Sequence, residues 1–390
     1  MITVIRNAEI YGPKYLGKKD VVIVGDKFEG IYDKVNIPNN FVNINEIDAE
    51  GKIMFPGFID CHVHILGGGG EGGFVTRTPE IMLSDLTTAG ITSVVGCLGT
   101  DSVCRSVSSL IAKVKSLEEE GITAYCYTGS YDVPVKVITK SIKEDLMIID
   151  KVIGVGEIAL SDHRSSQPTY DEFIKVVSQA RVGGILSGKA GIVNIHLGDG
   201  KRRLEYLLKT IEETELPTTQ MLPTHINRNT ELFNSGIDYI KKGGYIDLTT
   251  SSNPNFLEEG ELTASQGLKR IYELGLPINH VTFSSDGNGS MPKFDEKRKL
   301  IGLGICSVKS LYAEVRKAIV ELNIPIDIAI KVITSNVAEI LKLKSKGKIK
   351  EGYCADFVLV GKEELDIIDV YGKGKALVKN GEAVVKGTFE

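Results

Sequence analysis

Six histidines are spread along 390 residues, and four of them, His62, His64, His196 and His225, sit where short apolar runs turn polar. Glu157 and Asp286 stand at the same point of two further runs. Imidazole and carboxylate together form a donor set suited to Zn²⁺ or a similar borderline ion. In His62-Val63-His64 the imidazoles are two residues apart, so on an extended strand both project to one face. A single tetrahedral ion with an open position needs fewer donors than four histidines and two carboxylates. The set matches two ions sharing a bridging carboxylate, an arrangement that activates water for hydrolysis. His280 stands at the very start of its run and His163 follows Asp162 in a loop, so neither joins the constellation.

These residues act together only if the chain gathers them at one end of a scaffold. Eight β-rich runs lie at 52–65, 90–100, 121–131, 151–160, 191–199, 220–228, 243–251 and 280–290. Helical patterns separate several of them, as at 79–90, 106–121, 201–216 and 264–277, and many close on a glycine that returns the chain to the next run. Several runs are apolar throughout, as parallel strands covered on both faces are. Eight strand–helix units predict an α/β fold, a closed (β/α)8 TIM-like barrel, with a doubly wound open sheet as the second solution. In such a barrel the reactive side chains come from the C-terminal strand ends, where the four histidines, Glu157 and Asp286 fall. The length suits a barrel of roughly 250 residues plus a smaller companion. Residues 1–50 and 346–390 carry short alternating strands, with a hairpin turn at Asn380-Gly381. Neither end supplies enough strands alone. They are expected to meet in one small β-sandwich, with the barrel, 51–345, inserted between them.

Composition narrows the partners. The formal charge is −5, hydrophobic residues make up 42% and charged residues 25%. Lys and Arg are scattered, which argues against nucleic acid or an anionic membrane. No apolar run is long enough for a membrane span, and the N-terminus lacks the basic-then-apolar pattern of a secretory signal. Cys61, Cys97, Cys104, Cys126, Cys306 and Cys354 are widely spaced with no C-x-x-C pair. They read as reduced thiols, most of them buried in apolar runs, in a cytoplasmic protein. The glycine run 66–73 lacks the G-K-[ST] ending of a phosphate loop. A loop that lets substrate approach backbone is the better reading, and Glu71 inside it is placed for ligand contact. No G-x-S-x-G elbow supports a serine hydrolase.

The quoted pattern resembles the amidohydrolase superfamily: PGFIDCHVH on the first run, lone histidines on the fifth and sixth, and SSDG on the eighth. Within it the chain is similar to the isoaspartyl (β-aspartyl) dipeptidases through HVHILGGGGEGGFVTRTPE, VVGCLGTDS, TGSYDVP, SDHRS, LPTHINRN, SSDGNGS and the terminal VKGTFE. The similarity runs over essentially the whole chain.

That resemblance implies a metal-dependent dipeptidase that cleaves the β-aspartyl linkage of isoaspartyl dipeptides through a hydroxide bridging two divalent ions, zinc being the expected metal. His62 and His64 would hold the first ion, and His196 and His225 the second. Asp286 would ligate the first ion and serve as general base, then acid. Tyr131 would polarise the scissile carbonyl, and Glu71 would receive the free α-amino group. Arg164 and Arg228 would hold substrate carboxylates, Ser290 would help bind the aspartyl α-carboxylate, and Thr100 would line the site. Singly, either arginine fits a structural ion pair equally well, and Tyr131 fits the core. The superfamily commonly bridges its metals with a carbamylated lysine on the fourth strand. Here Glu157 stands in register, and the nearest lysine, Lys151, is at the strand's other end. A bridging Glu157 without carbamylated lysine is therefore expected. Resemblance also implies a homo-oligomer. The open alternatives are a dihydroorotase-like cyclic amidase, an N-acyl-amino-acid deacylase, and a non-enzymatic scaffold of the same fold.

Overall fold

The computed structural model describes residues 2–38, 42–252, 260–294 and 300–390. Each of the eight apolar runs holds a strand: Phe58–Val63, Ile91–Gly96, Thr123–Thr128, Val152–Leu160, Ile192–Leu197, Met221–Thr224, Ile246–Thr249 and Val281–Ser284, the first to eighth in chain order. Nearly all their residues are buried, which is why the runs lack alternation: both faces are covered. The first six form one curled parallel sheet in chain order, a half-barrel, with Ser93 beside Thr123 and His196 beside Thr224. The seventh and eighth form a parallel pair. Two fastenings tie that pair to the sheet's edges. The His64 N–H donates to the Gly287 carbonyl at 2.8 Å, and Val63 bridges Gly287, so the chain leaving the eighth strand lies beside the first. On the opposite side the Asn227 amide spans the Thr249 backbone, accepting its N–H at 2.8 Å and donating to its carbonyl at 3.0 Å.

Helices pack their apolar stripes on the sheet. In Val107–Glu119 the Ser106 side chain accepts the Ser109 N–H at the first turn, and Val107, Leu110, Val114 and Leu117 recur every three to four residues on the buried face. Truncating a fully buried leucine such as Leu110 to alanine costs about 2–5 kcal/mol. Tyr170–Ser187 starts at a reciprocal cap between Thr169 and Glu172 and stops at Gly188, whose φ of 68° is left-handed.

Strands from both chain ends meet in one nine-stranded sheet. The first apolar run, 52–65, is two strands rather than one. Lys52–Pro56 belongs to this terminal sheet, parallel to Ile2–Tyr11 and antiparallel to Phe357–Gly361. The split falls at Gly57, where a Cβ would lie 2.2 Å from Thr92 Oγ1 and 2.8 Å from Asp356 Cβ, so only glycine lets the chain pass between the sheets. Buried Lys346 fastens the return: its ammonium pairs with Asp356 and donates to Thr123 Oγ1 at 2.8 Å. The last hairpin turns at Asn380-Gly381 with φ of 51° and 80°, the left-handed pair a type I′ turn requires. Among the described residues no helix is long and apolar enough to cross a membrane.

Candidate metal centre and active site

The polar residues at the strand ends converge. His62 lies in the first strand and His64 just past it, with ring centroids 5.5 Å apart. His196 comes from the fifth strand, and its ring is 4.6 Å from that of His225, which follows the sixth. Glu157, from the fourth strand, sits between the two pairs. Its Oε1 is 3.4 Å from His64 Nε2, and its Oε2 is 3.3 Å from both His62 Nε2 and His196 Nδ1 and 3.9 Å from His225 Nε2. Asp286 Oδ1 lies 3.0 Å from His64 Nε2 and 3.6 Å from His62 Nε2. His225 and Asp286 both take left-handed backbone, φ 62° and 53°. That costs an ordinary residue roughly 1–2 kcal/mol, and Ser161 and Asn288 in the adjoining loops share the conformation.

The donor chemistry fits metal. Two groups of potential ligands form, His62, His64, Cys97 and Glu157 in one and Glu157, His196 and His225 in the other, each with donor atoms within 4.8 Å of one another. Glu157 belongs to both. Among the described residues, His62 Nε2, Glu157 Oε2 and Asp286 Oδ1 are buried without a hydrogen-bond partner. Such atoms are costly unless something compensates them, and a cation does. The outer ring nitrogens are already engaged: His62 Nδ1 with Asn194 Oδ1 at 2.9 Å and His225 Nδ1 with Thr249 Oγ1 at 2.7 Å, which turns both Nε2 atoms toward Glu157.

Electrostatics support ionised carboxylates beside charged rings. Burial disfavours charge on His62 and His64, but Cys97 and the neighbouring carboxylates raise both well above the ordinary imidazole value. Burial raises the Glu157 pKa, but His62, His196 and His225 outweigh it and hold it well below the usual range. Burial likewise opposes ionisation of Asp286, yet the His64 ring 3.0 Å away and the charges of the other histidines bring it to about 2. Burial and the neighbouring His196 lower His225 to about 3, leaving a neutral ring. Burial, then Glu157, pushes the Tyr131 hydroxyl well above its ordinary value, so it stays a proton donor.

A cleft of about 710 Å³ opens above this cluster. His64, Glu71, Thr100, Tyr131, Glu157, Arg164, His196, His225, Arg228, Asp286 and Ser290 all line it, and only His62 among the expected residues lies beneath, fully buried. Glu71 accepts from Thr100 Oγ1 at 2.9 Å, with Ser290 Oγ at 3.5 Å and Arg164 Nη1 at 3.6 Å. The glycine loop reaches this position because Gly67, with φ 80°, leaves no space for a Cβ, which would fall 2.2 Å from the Thr78 carbonyl. Tyr131 OH is 2.9 Å from His196 Nδ1. Arg228 Nε is buried without a hydrogen-bond partner among the described residues.

Four residues of this architecture were not singled out from the sequence. Asp162 binds Arg164 through both Nε and Nη2 and also contacts His196 Nε2 at 2.9 Å. Asn194 orients His62; its place two residues before His196 on one strand was the available signal. Arg105, buried, pins the glycine loop through the carbonyls of Leu66, Gly68 and Thr78 at 3.0–3.1 Å. Cys97, expected as one more buried thiol in an apolar run, is buried but lies 3.8 Å from His64 Nδ1. His163 and His280 stay outside, the former exposed and the latter bonded to the Gly244 carbonyl.

Residues 53–384 match the model of the amidohydrolase family. The chain belongs to the amidohydrolase family. It is similar to a β-aspartyl dipeptidase from Fervidobacterium islandicum AW-1 in two crystal structures. One, in complex with a β-Asp-Leu dipeptide, is 48% identical with a TM-score of 0.91, over 98% of this chain and 97% of that one. The other is 46% identical with a TM-score of 0.90, over 98% of each chain. Among curated relatives, the adenine deaminase of Oceanobacillus iheyensis is 24% identical over 97% of this chain, which spans only 57% of that protein's length. As an amidohydrolase with a His/Glu cluster, the chain is a hydrolase equipped for a divalent metal. Lys151, at the start of the fourth strand, pairs with Glu118, and Glu157 is the residue of that strand that reaches the histidines.

Proposed function

We propose that this amidohydrolase is a dipeptidase acting on the β-aspartyl linkage of isoaspartyl dipeptides, with two divalent ions, zinc by the donor chemistry, and Glu157 as the carboxylate they share. The observation that carries the substrate reading is Glu71 at the mouth of the cleft, an anion beside Arg164 and across from the buried cluster. A zwitterionic dipeptide with one extra carboxylate needs an anion for its amine and cations for its acids. Arg164 and Arg228 offer planar forks suited to carboxylates, and Ser290 adds a hydroxyl donor. Thr100 holds Glu71 in place. The resemblance to a dipeptidase crystallised with β-Asp-Leu supports the same substrate class.

Ions held by the cluster would activate water and polarise the scissile carbonyl. The chain's own groups do the rest. Asp286, ionised by its histidine neighbours, takes the proton of the attacking water and returns it to the leaving amine. Tyr131, kept protonated by burial, donates to the developing oxyanion. Glu157 fills the bridging place without carbamylation. We read the eight parallel strands as a (β/α)8 barrel, 51–345, inserted into a β-sandwich of 1–50 and 346–390, and the protein as a cytoplasmic homo-oligomer.

Comparing β-Asp-Leu with α-Asp-Leu as substrates for metal-loaded protein tests the reading. Hydrolysis confined to the β-linked peptide supports it. Cleavage of dihydroorotate or an N-acyl amino acid instead would place the chain with the cyclic amidases or deacylases, which have no use for Glu71.

A further inference from the structure

We propose that Cys97 is a thiolate ligand of the metal centre on the side of His62 and His64, so that the first ion is held by nitrogen, oxygen and sulfur together. The inference rests on reading the cluster as a metal site and adds a donor which the histidine and carboxylate set does not require.

Backbone geometry fixes the thiol there. Cys97 follows directly on the second strand, and its N–H donates to the Val63 carbonyl at 3.0 Å, which sets it beside the His62–His64 segment of the first strand. Its side chain is fully buried, and Sγ is 3.8 Å from His64 Nδ1. Donor atoms of His62, His64, Cys97 and Glu157 all lie within 4.8 Å of one another. The following loop is pressed against the same ligands: a Cβ on Gly99 would lie 2.9 Å from His64 Cε1 and 3.3 Å from Glu157 Oε1. Independently of the cysteine, His62 Nε2, Glu157 Oε2 and Asp286 Oδ1 are buried, unpartnered among the described residues and gathered around the same centre. A cation there answers all three and has a sulfur at its edge.

The chemistry favours the bond. Thiolate is the softest donor a protein offers, and it selects zinc and cobalt over magnesium and manganese. On ligation the thiol proton leaves to solvent and the sulfur lone pair forms the metal bond, with no change of oxidation state. One thiolate with Glu157 and Asp286 sets three negative charges against the four positive charges of two divalent ions, one charge closer to neutrality than the two carboxylates alone.

Cobalt-loaded protein supplies the test. The expected spectrum carries a near-ultraviolet sulfur-to-cobalt charge-transfer band that is lost in Cys97→Ser and retained in Cys306→Ser, a second cysteine bordering the cleft. Zinc-edge X-ray absorption of the unaltered protein needs no variant to fold, and it should show a sulfur neighbour at about 2.3 Å. Elemental analysis separates the two ways of failing. Cobalt or zinc bound with no sulfur band and no sulfur neighbour overturns the thiolate while leaving the metal centre intact. A band that survives in Cys97→Ser overturns it equally. Protein that binds neither ion removes both the thiolate and the centre.

Discussion

Asp162 grips Arg164 from two residues away, accepting from Nε at 3.0 Å and from Nη2 at 2.7 Å. The same carboxylate lies 2.9 Å from His196 Nε2, so one acid orients both a cleft-lining cation and a candidate metal ligand. Burial opposes its charge, but the hydrogen bonds from His196 and Arg164 hold its pKa well below the usual range. A fixed fork loses little entropy when it takes a carboxylate, which lysine cannot match. Arg164→Lys is expected to raise KM for β-Asp-Leu roughly 10–100-fold with a much smaller change in kcat, the range for losing one charge-assisted bond. Steady-state kinetics check this, and an unchanged KM would remove Arg164 from substrate binding.

Asp286→Asn keeps an oxygen near His64 but abolishes the proton carrier. We expect kcat to fall roughly 10²–10⁴-fold, the usual contribution of a positioned acid–base group, while metal content is largely retained. Turnover and elemental analysis on one preparation decide it; full activity would sink the assignment.

Glu71→Gln should remove the preference for a free amine. The ratio of kcat/KM for β-Asp-Leu over its N-acetylated form is expected to drop by about tenfold or more, in line with loss of a charged hydrogen bond. A ratio equal to that of the unaltered enzyme would mean that Glu71 does not read the amine.

Glu157 carries its own carboxylate, so metal assembly should be independent of bicarbonate. Apoprotein given zinc in carbon dioxide-free buffer is expected to regain full activity, and a clear bicarbonate requirement would show that the bridge is misassigned. Glu157→Gln, which removes the charge shared by both ligand groups, should cost bound metal by elemental analysis.

Away from the cleft, Asp20 accepts the N–H groups of Asn7 and Val35 at 3.0 and 2.9 Å and the Arg6 guanidinium at 2.9 Å. Burial opposes ionisation, yet these bonds win and lower its pKa. A lowered native pKa gives stabilisation that is complete above the unfolded value of about 3.9 and is lost as pH falls toward the folded one. Asp20→Asn is expected to cost about 1–3 kcal/mol at pH 7. The difference from the parent should shrink below about pH 4 in denaturant titrations.

The sequence by itself determined the eight strands and the candidate ligands on them. A parallel strand covered on both faces must be apolar along its length, so its polar end is visible without knowing its neighbours. His62, His64, Glu157, His196, His225 and Asp286 stood out for that reason, and the structure gathers them around Glu157. The break at Gly57 was not visible, because Lys52–Pro56 and Phe58–Val63 are equally apolar and only the contacts with Thr92 and Asp356 separate them. The contacts of Asp162, Asn194, Arg105 and Cys97 were decided by the tertiary structure. Each acts across a register between segments far apart in sequence: Asp162 on His196, Asn194 on His62, Arg105 on the glycine loop, Cys97 on His64. Hydrophobic period is a local property and can be read along the chain. Which side chains come within hydrogen-bonding or metal-ligating reach depends on how neighbouring strands align, and only folding sets that.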